Sequence, residues 1–325
     1  MKRLMRWIVV LAGLAGGAWQ VSKQPAVTRV IDSVKSSITT ASPADGDPAL
    51  LAGRDTIRVA SFNIQVFGES KVAKPAVMNT LARVARMFDV MAIQEVRAKS
   101  NDILPRFVDQ INAEGARYDF VIGPREGRTV SKEQYAFVYN TATIEVDRES
   151  LYAVSDPDDL FQREPFVAAF RARGPPHAEA FTFTLVDIHT EPDHAIQECN
   201  ALADVIRAVR SDGRGEDDII LLGDLNTDDQ HLGRLGQLPY ITCAISGVPS
   251  NTRGNKLYDN IVFDSRATSE FTGRAGVFDL MREFQLSMAE ALEVSDHRPI
   301  WAEFNVREGG QPAHLATRPD EAPTR

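Results

Sequence analysis

Two cysteines, Cys199 and Cys243, are all the thiol chemistry in a chain of 325 residues. That number is too small for a disulfide framework, and nothing in the sequence supports a single bridge between them. A cationic excess is missing as well: 36 Lys and Arg stand against 45 Asp and Glu, a formal charge of -9. General electrostatic adhesion to nucleic acid or to an anionic membrane is thereby excluded. Any polyanion has to be held by a local basic patch or by metal ions. There is no Gly-rich nucleotide loop and no Gly-x-Ser-x-Gly elbow, so kinase and α/β-hydrolase readings lack support and no nucleotide cofactor is expected. No internal repeat is evident. The apolar stretch from Trp7 to Trp19 falls short of the about 20 residues that span a bilayer.

What is present is a globular composition, 43% hydrophobic, which suffices for a substantial core. Lys2, Arg3 and Arg6 precede the Trp7 to Trp19 stretch, and Gly16-Gly17-Ala18 offers small residues for cleavage. Residues 1–22 are therefore expected to be an export signal or an N-terminal anchor. Export would make the protein periplasmic or secreted, whereas a retained anchor through residues 1–19 would tether it to a membrane facing outward. Residues 23–54, rich in Ser, Thr, Pro, Asp and Gly, read as a tether. Residues 55–306 contain no long linker and read as one domain, with 307–325 as a flexible tail. A monomer is expected.

The stretch Asp218 to Asp228 organises the domain. Four branched apolar residues, Ile219 to Leu222, form a strand buried on both faces, and the strand delivers Asp224 and Asn226 to its end. Ligands in helix-flanked sheets sit beyond strand ends, so polar residues placed there carry functional weight. The same pattern recurs along the chain. Thr56 to Ile64 ends near Asn63, and Val90 to Ile93 ends in Gln94-Glu95-Val96-Arg97. Glu133 opens the strand reaching Tyr139, to which Thr143 to Val146 is expected to pair as a hairpin across Asn140 to Ala142. Phe181 to Ile188 delivers His189, Leu257 to Phe263 carries Asp259, and Asp296 and His297 precede the last strand. Pro75 to Phe88, Asn101 to Ala113 with Asn101 as cap, and Ala195 to Arg210 show helical spacing, the last with Cys199 inside. Strands alternating with helices imply an α/β fold with mixed or antiparallel sheets.

Singly, these residues have plain structural readings. Asp224 and Asn226 could cap a turn, Glu95 could face solvent, and His189 could fill the core. The loop from Arg125 to Lys132, with Arg125, Arg128 and Lys132, could be a solvated connection or an arm reaching a nucleic-acid backbone. Together, Asn63, Glu95, Glu133, His189, Asp224, Asn226, Asp259, Asp296 and His297 all fall at strand ends. Oxygen ligands without thiols favour Mg²⁺ or Mn²⁺, with Ca²⁺ as a further candidate. Two histidines near carboxylates supply proton transfer. This is equipment for hydrolysing a phosphate ester.

Ser61-Phe62-Asn63-Ile64, Gln94-Glu95-Val96-Arg97, Gly223-Asp224-Leu225-Asn226, Tyr258-Asp259 and Ser295-Asp296-His297-Arg298-Pro299 resemble, in order, the motifs of the endonuclease/exonuclease/phosphatase superfamily. Lys132-Glu133-Gln134-Tyr135, Arg163-Glu164-Pro165 and Val186 to Pro192 resemble its deoxyribonuclease I-like branch. The resemblance implies a four-layer α/β sandwich, two central sheets flanked by helices, acting on DNA with low sequence specificity and leaving 5′-phosphate ends. It implies Glu95, Asn63 and Asp296 as metal ligands, and His189 with Glu133 and His297 with Asp259 as acid-base dyads. Asp224 and Asn226 would orient water and phosphate. Arg97, Arg163 and Tyr258 would bind substrate, joined by Arg125 and Arg128 if the cationic loop reaches the nucleic-acid backbone, and Asp159 and Glu164 could join a structural calcium site. Two departures concern loops: the disulfide of the animal enzymes falls on about Asp229 and Lys256, and their deoxyribose-stacking tyrosine is Ser131. A metal-dependent phosphatase or phospholipid phosphodiesterase of the same superfamily, and a non-catalytic binding module, are the alternatives.

Overall fold

The computed structural model describes residues 55–128 and 132–310. The expected signal, the tether and the remainder of the expected tail lie outside the described residues. Among the described residues no helix is long and apolar enough to cross a membrane.

Two six-stranded sheets form the centre. The first has the order β11-β12-β1-β2-β4-β3, built from β1 (Thr56–Phe67), β2 (Val90–Val96), β3 (Tyr118–Ile122), β4 (Gln134–Asn140), β11 (Phe271–Val277) and β12 (Ile300–Asn305). The second has the order β5-β6-β7-β8-β10-β9, from β5 (Ile144–Ala153), β6 (Phe166–Ala172), β7 (Thr182–His189), β8 (Ile219–Asp224), β9 (Ile241–Cys243) and β10 (Asp259–Asp264). β1 and β2 run parallel, as do β7 and β8, and every other pairing is antiparallel. Each parallel pair needs a crossover, supplied by the helices Pro75–Ala85 and Ala195–Arg210.

Strand alternation builds the layers. On β1, Ile57 and Val59 face the seam between the sheets, while Ala60, Phe62 and Ile64 belong to the cluster beneath the helices Pro75–Ala85 and Ile103–Asn112. Phe170, Phe181, Phe183, Phe263 and Phe304 fill the seam, with the Phe181 and Phe183 rings 4.8 Å apart. Burying each such ring stabilises the fold by roughly 1.5–3 kcal/mol. Val186, Ile188, Leu221 and Val262 turn the other way, toward Cys199 and Leu202 of the helix Ala195–Arg210. The result is helix, sheet, sheet, helix: the expected four-layer sandwich.

The expected hairpin between Gln134–Asn140 and Thr143 to Val146 does not form. Both edges of β4 are occupied, by β2 and β3, so the chain crosses at Thr141 to Thr143 and β5 pairs with β6 in the other sheet. The expected cap at Asn101 is also displaced: the helix starts at Ile103, and its flanking residue Asp102 makes no side-chain capping bond. Backbone pairing continues past Val306. Arg307 bridges Ala180, and the Glu308 N–H donates to the Glu179 carbonyl at 2.9 Å.

Candidate active site

Register places the site. His189 is the parallel partner of Asp224, and Asp224 is the antiparallel partner of Asp259, so three of the expected site residues lie in a row across β7, β8 and β10. Gly223 permits this row. A Cβ there would meet the Ile188 carbonyl oxygen at 1.9 Å, and its φ of +146° suits glycine alone. The first sheet contributes Asn63 of β1, Glu95 of β2 and Glu133, just ahead of β4. Asn63 Nδ2 donates to Asp224 Oδ2 at 3.0 Å, joining the two sheets at the site.

Each histidine is held from behind. His189 Nδ1 bonds Glu133 Oε1 at 2.7 Å, and His297 Nδ1 bonds Asp259 Oδ2 at 2.8 Å. A carboxylate on Nδ1 fixes the ring's orientation and leaves Nε2 as the working nitrogen. Both Nε2 atoms then converge on one oxygen, Asp224 Oδ2, each at 3.5 Å. That separation is long for a strong hydrogen bond, which leaves both nitrogens available to a substrate oxygen. Asn226 completes this corner, its Nδ2 donating to the Thr190 carbonyl at 2.8 Å and its N–H to Asp224 Oδ1 at 3.0 Å.

Backbone strain concentrates here. Glu95 (φ 63°), Asn226 (φ 48°), Gln65 (φ 36°) and Val66 (φ 53°) all occupy the left-handed region, which a β-branched residue such as Val66 rarely enters. The bulge aims groups inward: the Gln65 N–H donates to Asn63 Oδ1 at 2.9 Å and the Val66 N–H to Glu95 Oε2 at 2.7 Å. Arg97 meets Glu95 at 3.1 Å, although the turn of backbone at Glu95 means that simple strand alternation does not bring it there.

The charges reinforce one another. Burial alone would raise the pKa of Glu133, but His189, Arg163 and Arg97 together hold it below the usual carboxylate range. Burial works against a charge on His189, yet Glu133 and then Asp224 keep its pKa above the usual imidazole value. For His297, burial is likewise outweighed by Asp259 and Asp224, and the pKa is held up to about 10. Behind the site, burial pushes the Asp187 carboxyl well up, and Gln94 Nε2 donates to its Oδ1 at 2.5 Å.

The donor set suits a hard divalent cation. Glu95, Asp296 and the Asn63 side chain offer oxygen ligands, and the Lys71 ammonium feels the charges of both Asp296 and Glu95. Lys71 Nζ is fixed by the carbonyls of Ile64 and Gln65, both at 2.6 Å, and of Val294 at 2.7 Å. Asp224, Asp259 and His297 also bring ligand atoms within 4.8 Å of one another. Hydrogen bonding between His297 and Asp259 and from Asn63 to Asp224 already accounts for that compactness.

The residues expected to bind substrate separate into two groups. Tyr258 stands at the rim, its ring 5.8 Å from that of His297, and Arg97 is 28% exposed. Arg128 is exposed and paired with Asp159 at 2.9 Å, while Arg125 is half-buried and donates to the Ala98 and Lys132 carbonyls. Arg163 departs from expectation. Its side chain is 7% exposed and Nε lies 3.0 Å from the His189 carbonyl and 3.2 Å from Glu133 Oε1, so it braces the dyad from behind rather than standing at the rim. Glu164 bonds Glu126, whose pKa is pushed up to about 7 by burial and by Glu164. Ser131 lies outside the described residues.

Two further residues went unread in the sequence. Ser250 Oγ donates to Asp259 Oδ2 at 2.6 Å and accepts the N–H groups of Tyr258 and Asp259, both at 3.0 Å. Ser295 Oγ donates to the Asn63 carbonyl at 2.7 Å and accepts the His297 N–H at 3.0 Å. Ser295 stood inside a quoted motif; Ser250, nine residues upstream of Asp259, carried no signal of its own.

Residues 60–297 match the family model described as the Endonuclease/Exonuclease/phosphatase family. The chain is similar to deoxyribonuclease gamma of Rattus norvegicus, 33% identical over 274 residues, covering 79% of this chain and 86% of the relative. It is similar to deoxyribonuclease-1-like 2 of Homo sapiens, 34% identical over 278 residues, covering 77% and 92%. Among solved structures, humanised D. rerio TDP2 shares the fold at a TM-score of 0.54 and 14% identity, covering 77% of this chain and 99% of that one. An endonuclease/exonuclease/phosphatase family protein from Bacteroides thetaiotaomicron does so at 0.51 and 16%, covering 77% and 97%.

Proposed function

The chain belongs to the endonuclease/exonuclease/phosphatase family, and we propose from that membership and the geometry of the site that it is an endodeoxyribonuclease of the deoxyribonuclease I-like branch. The reaction is hydrolysis of DNA phosphodiester bonds by water, with low sequence preference and 5′-phosphate products. The observation that carries this reading is the convergence of two carboxylate-anchored histidines on Asp224 Oδ2. A phosphodiester needs a base for the attacking water and an acid for the departing O3′, and a facing pair of imidazoles supplies both.

In this reading one imidazole takes the water's proton at Nε2 while the other, held protonated by its carboxylate, delivers one to O3′. Asn63, Asn226 and Asp224 orient the phosphate and the water between them. Glu95, Asn63 and Asp296 would hold Mg²⁺ or Mn²⁺, which neutralises charge that develops on the phosphoryl oxygens. Arg97 and Tyr258 at the rim, with Arg125 and Arg128 on the neighbouring loop, contact the backbone of the strand. Few of these side chains could read base edges, which supports weak sequence preference.

The product chemistry is directly testable. Nicks made in supercoiled plasmid should be sealed by DNA ligase without prior kinase treatment, because a 5′-phosphate faces a 3′-hydroxyl. Nicks that require a kinase first would reject the proposed polarity. Export of a monomer belongs to the same proposal, supported by the basic and then apolar residues 2–19. Fractionation of producing cells, with activity recovered inside the cytoplasm alone, would refute it.

A further inference from the structure

At the opposite end of β8 from Asp224, three carboxylates from separate segments meet. Asp218 immediately precedes β8, Glu270 immediately precedes β11, and Glu308 follows β12. β8 belongs to one sheet and the other two strands to its partner, so the group straddles the seam between the sheets. Each residue offers a carboxylate oxygen within 4.8 Å of the others. Six residues of extended strand put the group roughly 20 Å from Asp224, so it is separate from the catalytic residues.

Asp218 and Glu270 are 1% and 2% exposed, and Asp218 Oδ1 and Glu270 Oε2 have no hydrogen-bond partner. Buried carboxylate oxygens without partners are costly and rare, and three adjoining acids compound the cost. The charges acting on Asp218 are those of Glu270, Glu216 and Glu308, all of one sign. The nearby Arg307 turns its guanidinium to Glu179 instead. One oxygen each of Glu270 and Glu308 is held by a backbone donor: the Gly309 N–H reaches Glu270 Oε1, and the Thr182 N–H reaches Glu308 Oε2 at 3.2 Å. The carboxylates are thus oriented, and Glu308 and Glu270 interact directly with each other.

We propose that Asp218, Glu270 and Glu308 form a calcium site that clamps the two sheets together at the end remote from catalysis. An all-oxygen set of carboxylates suits a hard cation, and Ca²⁺ accepts such oxygens in flexible geometry where Mg²⁺ demands a near-ideal octahedron. The segment after β12 is held at this point by Glu308, so the clamp also fastens the chain just beyond β12. In the absence of a cation, burial and Glu270 push the Asp218 carboxyl up to about 9, and a proton takes the cation's place at neutral pH.

The test is calcium titration calorimetry on the full chain, compared with Glu270→Gln and Asp218→Asn, alongside thermal unfolding in EDTA and in Ca²⁺. The expected result is one fewer calcium per chain in each variant and a smaller calcium-dependent rise in Tm. In EDTA the variants should be at least as stable as the parent, because each replaces a buried acid with a neutral amide, and their initial nicking rate in Mg²⁺ should be unchanged within about twofold. An unchanged calcium stoichiometry in the variants would overturn the proposal. So would variants that lose Tm in EDTA and keep the parent's full gain in Ca²⁺. If one variant does not fold, the other carries the same comparison.

Discussion

His189 and His297 come from different parts of the chain and different carboxylate partners, yet their Nε2 atoms lie at the same distance, 3.5 Å, from one oxygen of Asp224. Each ring is backed at Nδ1 by a buried acid, Glu133 or Asp259. The site therefore has two working nitrogens facing one reaction volume.

If the two imidazoles divide acid and base between them, removing either should disable turnover. His189→Ala and His297→Ala should each lower kcat by about a hundredfold or more, and the double variant should fall little further, since the two act in one step. Steady-state nicking rates with circular dichroism as a fold control check this. Full activity in both single variants would remove the dyads from the mechanism.

Ser250 is placed to act through Asp259, to which its hydroxyl donates. Ser250→Ala removes the hydroxyl that donates to Asp259 Oδ2 and leaves two N–H groups without their acceptor. A loss of roughly 1–1.5 kcal/mol of positioning corresponds to about a tenfold drop in kcat. KM should hold, Ser250→Thr should recover part of the loss, and the pH profile should shift as the Asp259–His297 pair loosens. A change in KM alone would assign Ser250 a merely structural role.

Stability should depend on pH through the same pair. Folded His297 has its pKa held up to about 10, against about 6.5 when unfolded, so its contribution is complete below about pH 6.5 and is lost as pH climbs toward 10. Glu133, held low, contributes in the other direction: its share is present above its unfolded value near 4.3 and is lost as pH falls through its folded value. In EDTA, Tm should therefore decline from pH 7 to 10, and the decline should be shallower in His297→Gln. Parallel curves for the two proteins would contradict the assignment.

Gly223 is the position where backbone geometry is least forgiving. Gly223→Ala drives a Cβ to 1.9 Å from the Ile188 carbonyl and requires an L-residue at φ +146°. Separation of β7 from β8 should follow, at a cost of roughly 3 kcal/mol or more, with His189 and Asp224 losing alignment. Urea unfolding measures the loss directly; a midpoint within error of the parent would show that the strands can part without penalty.

Much of this site was legible because each functional residue ends a strand whose apolar run is plain, as with Ile219 to Leu222 before Asp224 and Val90 to Ile93 before Glu95. Strand pairing was not legible in the same way. Thr143 to Val146 follows β4 so closely that a hairpin is the local expectation, and only the occupation of both β4 edges by β2 and β3 sends β5 to the other sheet. Arg163 is expected at the DNA because Arg163-Glu164-Pro165 resembles the deoxyribonuclease I-like branch, whereas its burial against Glu133 depends on tertiary packing. Asp218, Glu270 and Glu308 are far apart in sequence and each resembles an ordinary strand-end acid, so only the folded chain shows that they meet.

The most direct test of the nuclease account is incubation of supercoiled plasmid with the protein in Mg²⁺, in Mn²⁺ and in EDTA, beside Glu95→Ala. The account predicts nicked and then linear DNA in either metal, none in EDTA, and a loss of at least about a hundredfold in the variant. Plasmid cut equally well in EDTA, or by Glu95→Ala at the parent's rate, would contradict a metal-dependent site built on Glu95.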